Sequence, residues 1–191
     1  MGTELDAIIS SSVARIAGMR KPRELREGAR YHVTGRANRK ELIFDTGAMK
    51  DLFLSVVKRA KRKYAFRIEN FCIMGNHFHL VIIPGKGMSL STIMQWIMSV
   101  FAMAYNRICG YTGHVWGERF FSRILSGFRE LLAVFAYIDN NPVQASLIED
   151  PRKWRFGGLW HNRTGCRDIV EVEPSWLPLT FPERGMLLLT N

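Results

Sequence analysis

Cysteine is scarce in this sequence. The 191 residues include three cysteines, Cys72, Cys109 and Cys166, which are odd in number and far apart. A disulfide framework needs pairs of cysteines, and a zinc knuckle needs closely spaced ligands. We therefore expect neither a disulfide-linked domain nor a zinc knuckle. Hydrophobic residues make up 47% of the chain, so we expect one globular domain with a hydrophobic core and short extensions.

A long apolar run is also missing. The most apolar stretch, residues 93–105, is interrupted by Gln95 and Ser99 and falls short of the roughly 20 residues that a membrane span needs. No signal-peptide pattern opens the sequence, because Asp6 and Arg15 bracket too short an apolar segment. We therefore expect a cytoplasmic protein with no membrane partner.

Acidic residues are outnumbered by basic ones. Lys and Arg total 27 against 17 Asp and Glu, which gives a net charge of +10. A basic surface favours a polyanionic partner, because phosphate contacts release counterions. A run of basic residues at positions 58–63 lies where we expect a helix to end. A solvated helix end is an equally good interpretation of this run. The candidate phosphate contacts are Arg20, Lys21, Arg23, Lys61, Arg62 and Arg119.

Strand-like and helix-like stretches alternate in the order β-α-β-β-α-β-α. The apolar patterns predict strands over residues 30–36, 66–74, 78–84 and 115–125. They predict helices over residues 45–64 and 89–108, and a third helix that begins at residue 126 or 127. This order predicts an α+β fold, a ferredoxin-like antiparallel sheet with helices mainly on one face and the other face or its edge open for a ligand.

We expect three regions along the chain. Residues 1–25 would form a short amphipathic helix and a basic arm, residues 26–160 the main domain, and residues 161–191 a C-terminal extension. The fold is therefore predicted to carry both N- and C-terminal extensions.

Two histidines lie at the start of the predicted strand within residues 74–84. Because side chains alternate along a strand, His77 and His79 share one face and Phe78 takes the other. The preceding Gly75-Asn76 pair predicts a hairpin turn, which would put the histidines near the sheet edge. Two neighbouring imidazoles are half of a metal site. On this short pattern alone, two hydrogen-bonded histidines without chemistry are the favoured alternative.

The third predicted helix carries two further polar candidates. Tyr137 and Asn141 are four residues apart and therefore project from one side. A tyrosine hydroxyl can act as a nucleophile, and an asparagine carbonyl can act as a hard metal ligand. Alternatively, Tyr137 is a core tyrosine with its hydroxyl at the surface, and Asn141 caps a short helix that starts at Pro142.

Five blocks of the sequence, taken together and in order, resemble one family. They are residues 27–38 (EGARYHVTGRAN), 74–80 (MGNHFHL), 105–107 (YNR), 113–120 (GHVWGERF) and 137–145 (YIDNNPVQA). They resemble the IS200-like single-tyrosine transposases of the HUH, or Y1, type, and most closely the branch associated with repetitive extragenic palindromes (REP). The resemblance covers roughly residues 20 to 160.

The resemblance implies an enzyme of DNA transesterification. His77 and His79 would bind Mg²⁺ or Mn²⁺, Asn141 would complete the metal shell, and Tyr137 would attack the phosphate. A 5′-phosphotyrosine would keep the phosphodiester energy, so that strands could be rejoined without ATP. The implied partner is single-stranded or hairpin DNA, in the bacterial cytoplasm or nucleoid, and a homodimer is an option.

Two other functions remain open at this point. The protein could be a non-catalytic or domesticated binder of single-stranded nucleic acid on the same fold, with aromatic side chains that stack on bases. It could also be a metal-dependent hydrolase that uses the histidines but activates water, and such an enzyme would leave no protein–DNA adduct.

Overall fold

The predicted antiparallel sheet is present and has four strands. In the computed structural model, which describes residues 26–171, they are β1 (Tyr31–Arg36), β2 (Phe66–Ile73), β3 (His77–Pro84) and β4 (Phe121–Ile124). The order across the sheet is β2-β3-β1-β4, and each neighbouring pair is antiparallel. β3 is thus an inner strand, so the expectation that the histidines lie near the sheet edge is wrong.

Four α-helices accompany the sheet in the described part of the chain. They are α1 (Gly47–Lys63), α2 (Leu90–Cys109), α3 (Phe128–Gln144) and the short α4 (Gly158–Arg163), with single 3₁₀ turns at Asn38–Lys40 and Pro151–Lys153. Thr46 caps α1, because its hydroxyl accepts a hydrogen bond from the Met49 amide at 3.2 Å. No described helix is long and apolar enough to cross a membrane.

The first face of the sheet packs against α1 and α2. Phe78 of β3 stacks 4.7 Å from the ring of Phe53 on α1, and Phe53 lies 5.4 Å from Phe101 on α2. Gly35 of β1 makes room for this packing, since a Cβ at that position would lie 2.4 Å from the Phe78 ring. The large apolar core of the molecule therefore lies between this face and the two long helices.

The second face is covered in part by α3. The apolar side of α3 meets the alternate residues of β2 and β3 in a smaller core cluster. This cluster consists of Cys72, Met74, Val81, Leu125, Leu131, Val134, Phe135 and Ile138. The ferredoxin-like α+β prediction is confirmed, with α1 and α2 on one face and part of the other face left accessible beside α3.

The stretch 115–125 is mostly irregular, in contrast to the predicted strand. Only Phe121–Ile124 pairs with β1, while Trp116 forms an isolated bridge with Ala37. The indole of Trp116 donates to the Met98 carbonyl at 2.8 Å, which ties this segment to α2. A Cβ at Gly117 would lie 3.2 Å from the Asn38 Cα, so the chain here crosses closely over the loop after β1.

α3 continues through Pro142 instead of ending before it. Asn141 and Pro142 are both buried, and the Asn141 carbonyl still accepts from the Ala145 amide at 3.0 Å. An interior proline lacks a backbone donor and its ring crowds the carbonyl four residues earlier, yet the helix runs through Pro142 to Gln144. The alternative in which Asn141 caps a separate helix is therefore wrong.

The core extends past residue 160. Ile169 and Val170 are fully buried, and the Lys61 ammonium donates to the Ile169 carbonyl and pairs with Glu171, both at 2.9 Å. The predicted helix at residues 1–18 and the basic arm with Arg20, Lys21 and Arg23 lie outside the described residues, as does the chain after residue 171.

Candidate active site

The second face of the sheet brings the four candidate residues together. His77 and His79 both point to this face, with ring centroids 5.0 Å apart. α3 places the Tyr137 ring edge-on to His79, with centroids 5.3 Å apart. One turn later on α3, the Asn141 side chain lies beside the His77 ring. Two strand residues and two helix residues thus converge within one chain.

A neighbouring amide fixes the tautomer of His77. The Asn76 side chain donates from its Nδ2 to the Lys40 carbonyl at 3.2 Å, so its Oδ1 faces His77. The Oδ1 atom can only accept a hydrogen bond, and it lies 2.7 Å from His77 Nδ1. His77 therefore carries its proton on Nδ1, and its lone pair is on Nε2.

His79 is oriented by two residues of β1. Its Nδ1 lies 3.0 Å from His32 Nε2 and 3.1 Å from Thr34 Oγ1, and the His32 ring stacks on the His79 ring at 5.2 Å. The other nitrogen, His79 Nε2, is buried and has no hydrogen-bond partner among the described residues. A buried polar atom without a partner is costly, so a ligand that paired with this nitrogen would remove an unfavourable term.

Burial keeps the imidazoles of this cluster neutral. Loss of solvent lowers the pKa of His77 to about 4, with a smaller contribution from the nearby Arg36 guanidinium. The pKa of His32 is lowered to about 4 by burial and then by Arg123. Burial, followed by the charges of His32 and His77, places the pKa of His79 well below its usual value. At neutral pH the lone pairs are therefore available for coordination.

The donor set fits a divalent metal ion held by few protein ligands. His77 and His79 could supply imidazole nitrogens, and Asn141 could supply an amide oxygen. Residues 26–171 contain no cluster of three or more His, Cys, Asp and Glu side chains that could hold a metal. So small a ligand set would leave coordination positions for substrate oxygens.

α3 is fixed to the sheet near the tyrosine. Asn70, fully buried at the irregularity in β2, donates from its side chain to Asp139 at 2.9 Å. At the start of the helix, the Glu130 carboxylate accepts from the Ser126 amide at 2.9 Å and pairs with Arg123 at 3.3 Å. These polar contacts and the small core cluster hold Tyr137 at the histidines.

A basic cleft opens beside the cluster. It has a volume of about 1140 Å³ and is lined by His77, His79, Tyr137 and residues of β1, β4 and α3. Two carboxylates, Glu118 and Glu130, also line it. Six cations outnumber them, namely Arg36, Arg39, Lys40, Arg119, Arg123 and Arg129. The cleft therefore suits a polyanion.

Of the three described basic residues singled out from the sequence, Lys61, Arg62 and Arg119, only Arg119 lines this cleft. Lys61 and Arg62 lie on α1, which packs on the opposite face of the sheet, and Lys61 is already bound to the C-terminal segment. Their role as DNA contacts stays a prediction, and the cleft offers other cations closer to the histidines.

Sequence reasoning missed the residues that orient the histidines. A signal for them was present in β1, where His32, Thr34 and Arg36 alternate and so share one face. Asn76 was interpreted only as a turn residue. Asn70 gave no signal, because its role depends on an irregular position in β2 and on contact with a distant helix.

The comparisons with known proteins place this geometry in a family. The profile of the family described as "Transposase IS200 like" matches residues 26–141. No curated protein matches the sequence. A solved REP-associated tyrosine transposase bound to a REP hairpin is 18% identical, with a TM-score of 0.65, and the match covers 83% of this chain and 92% of that one. The two proteins share a fold.

A second solved structure, a candidate transposase from Deinococcus radiodurans R1, is also similar. It is 14% identical with a TM-score of 0.43, and the match covers 64% of this chain and 97% of that one.

The buried neutral histidines predict a stability that falls as the solution is acidified. Between about pH 6.5 and pH 4 the unfolded chain protonates His32 and His77, and the folded chain does not. The free energy of unfolding should therefore decrease by about 1.4 kcal/mol per pH unit for each proton taken up only on unfolding. Urea denaturation across this range measures the slope.

The variant His79→Gln is the control for this pH dependence. It removes one of the groups that protonate only on unfolding, so its slope should be smaller than that of the wild type. A wild-type stability that stays flat from neutral pH to about pH 5 would show that these histidines are not buried as neutral groups.

Proposed function

Because the chain belongs to the IS200-like transposase family, we propose that it nicks and rejoins single-stranded DNA with Tyr137 as the nucleophile. The observation that carries the proposal is the position of the Tyr137 ring, 5.3 Å from the His79 ring at the edge of a basic cleft. A nucleophile beside neutral imidazoles and next to a site for phosphate is the arrangement that phosphodiester cleavage needs.

Each residue of the cluster has a role in this proposal. His77 and His79 would hold a metal ion through their imidazole nitrogens, and Asn141 would supply an oxygen. Asn76, His32 and Thr34 keep the two rings in the coordinating orientation. A bound Mg²⁺ or Mn²⁺ ion would polarise a non-bridging phosphate oxygen and orient the phosphate for in-line attack.

Tyr137 then exchanges one ester for another. Its oxygen forms a bond to phosphorus, the bond from phosphorus to the 3′-oxygen breaks, and the phenol proton is released as the leaving 3′-oxygen gains one. The products are a 5′-phosphotyrosine and a free 3′-OH. Attack by a 3′-OH on the phosphotyrosine reverses the step, so the strand is rejoined without ATP.

The proposed substrate is single-stranded or hairpin DNA from palindromic repeats. The relative with the same fold is bound to a REP hairpin, and the six cations of the cleft provide phosphate contacts here. Such a substrate implies action in the bacterial cytoplasm or nucleoid. In this proposal residues 26–160 form the catalytic domain, and Arg20, Lys21 and Arg23 of the arm add phosphate contacts.

The variant Tyr137→Phe tests the nucleophile. It removes one hydroxyl and keeps the ring, so the fold should survive with a stability change of about 1 kcal/mol or less. Binding of labelled hairpin DNA should remain near that of the wild type. Strand cleavage and the denaturation-resistant protein–DNA adduct formed with Mn²⁺ should disappear together.

The variant Tyr111→Phe is the matched control, because Tyr111 is exposed and lies two residues after the end of α2, outside the residues that line the cleft. It should form the adduct normally. If Tyr137→Phe still cleaves at the wild-type rate and leaves no adduct, water is the nucleophile. If the wild type binds DNA but never cleaves it, the protein is a binder only.

Metal binding can be measured without any reaction. With Mn²⁺ at 100 times its dissociation constant, the wild-type protein should gain about 2.7 kcal/mol of stability and melt several degrees higher. His77→Ala and His79→Ala should lose this gain and the cleavage activity while remaining folded. The variant of the exposed His114, His114→Ala, should keep both, and an equal Mn²⁺ effect in all four proteins would contradict the proposed ligands.

The tyrosine is expected to serve the histidines of its own chain. α3 packs on its own sheet through the small core cluster and through the bond from Asn70 to Asp139. A mixture of Tyr137→Phe with His79→Ala should therefore stay inactive, because no subunit has both groups. Recovery of cleavage in the mixture would instead show a homodimer that shares its active sites.

A further inference from the structure

Phe121 is an exposed aromatic side chain inside the basic cleft. It begins β4, 47% of its surface is exposed, and it lines the cleft together with His77, His79 and Tyr137. We infer that Phe121 is a stacking site for a nucleobase of the single strand whose phosphate lies at Tyr137. This inference rests on the proposed function and adds a binding residue to it.

The strand register aligns Phe121 with the histidines. Thr34 of β1 pairs with Phe121 of β4 on one side and with His79 of β3 on the other. The three side chains therefore form a row across the sheet on the same face. Neighbouring strands lie about 4.8 Å apart, so Phe121 and His79 are roughly 10 Å apart along this row. One short stretch of DNA can reach both.

The packing of β4 does not require Phe121. The opposite face of this strand carries Ile124, which packs against the main core, while Phe121 and Arg123 face the cleft. Phe121 belongs to neither core cluster. A ring that contributes to neither core cluster and is half exposed in a basic cleft is available to a ligand.

The charges around the ring define what it can bind. Arg119, Arg123 and Arg129 line the same cleft, so an apolar partner must also carry negative charge. A nucleotide meets both conditions, because its base offers an apolar π-face and its phosphate pairs with the cations. Bases in a duplex are already stacked, which makes the site selective for unpaired nucleotides.

A comparison of two DNA probes of equal charge tests the site. One probe is a fluorescein-labelled oligothymidylate, and the other is a labelled abasic strand of the same length. Phe121→Ala should weaken binding of the oligothymidylate by about 5- to 150-fold, the effect of one lost stacking contact. It should leave binding of the abasic strand unchanged, because the phosphate contacts remain.

Two further variants sharpen the measurement. Phe121→Trp keeps a π-face and should bind the oligothymidylate at least as well as the wild type. Tyr111→Ala removes an aromatic ring that is 61% exposed and does not line the cleft, so it should not change either affinity. Equal affinities of Phe121→Ala and the wild type for oligothymidylate, or an equal loss on both probes, would overturn the inference.

Failure of the inference is distinguishable from failure of the proposed function. If the wild type forms the tyrosine adduct and Phe121→Ala binds both probes like the wild type, only the stacking site is wrong. If Phe121→Ala loses the preference for bases and the wild type forms no adduct, the stacking site stands and the proposed reaction is wrong.

Discussion

The site depends on the alternation of side chains along β3, an inner strand with both faces covered. Phe78, Leu80 and Ile82 enter the main core, and this packing fixes the strand rigidly. The same pleat necessarily sends His77 and His79 to the opposite face. A slip of one residue would exchange the two sets, so the energy of the core also specifies where the imidazoles lie.

Burial of the imidazoles is unfavourable for stability and useful for chemistry. The pKa of each ring is lowered, so its protonated form is disfavoured and its lone pair remains free. Asn76 satisfies His77 Nδ1 with a hydrogen bond, and His32 and Thr34 of β1 do the same for His79 Nδ1. His79 Nε2 has no partner among residues 26–171. A metal ion at that atom would remove the penalty, which links metal binding to folding stability.

Local patterns were sufficient for most of the fold and for the faces that the candidate site residues share, whereas their roles came from the family resemblance. The period of two in β3 and the four-residue spacing of Tyr137 and Asn141 are properties of single elements, and both were readable from the sequence. Other features depend on strand register and on packing between residues far apart in the sequence. They are the contact of His32 with His79, the ion pair of Lys61 with Glu171, and the position of α3. The 115–125 segment was misassigned because its apolar residues attach to α2 and to the loop after β1, and such contacts leave no periodic signal.

The division of the site between a strand and a helix has a physical consequence. The imidazoles are set by the sheet, which the large core holds, whereas Tyr137 is set by α3, which a smaller cluster and the bond from Asn70 to Asp139 hold. The arrangement of the imidazoles is thus determined independently of the tyrosine. Weakening the Asn70 contact would displace Tyr137 and leave the histidine pair intact, so the sheet can keep the imidazoles in place while the tyrosine moves.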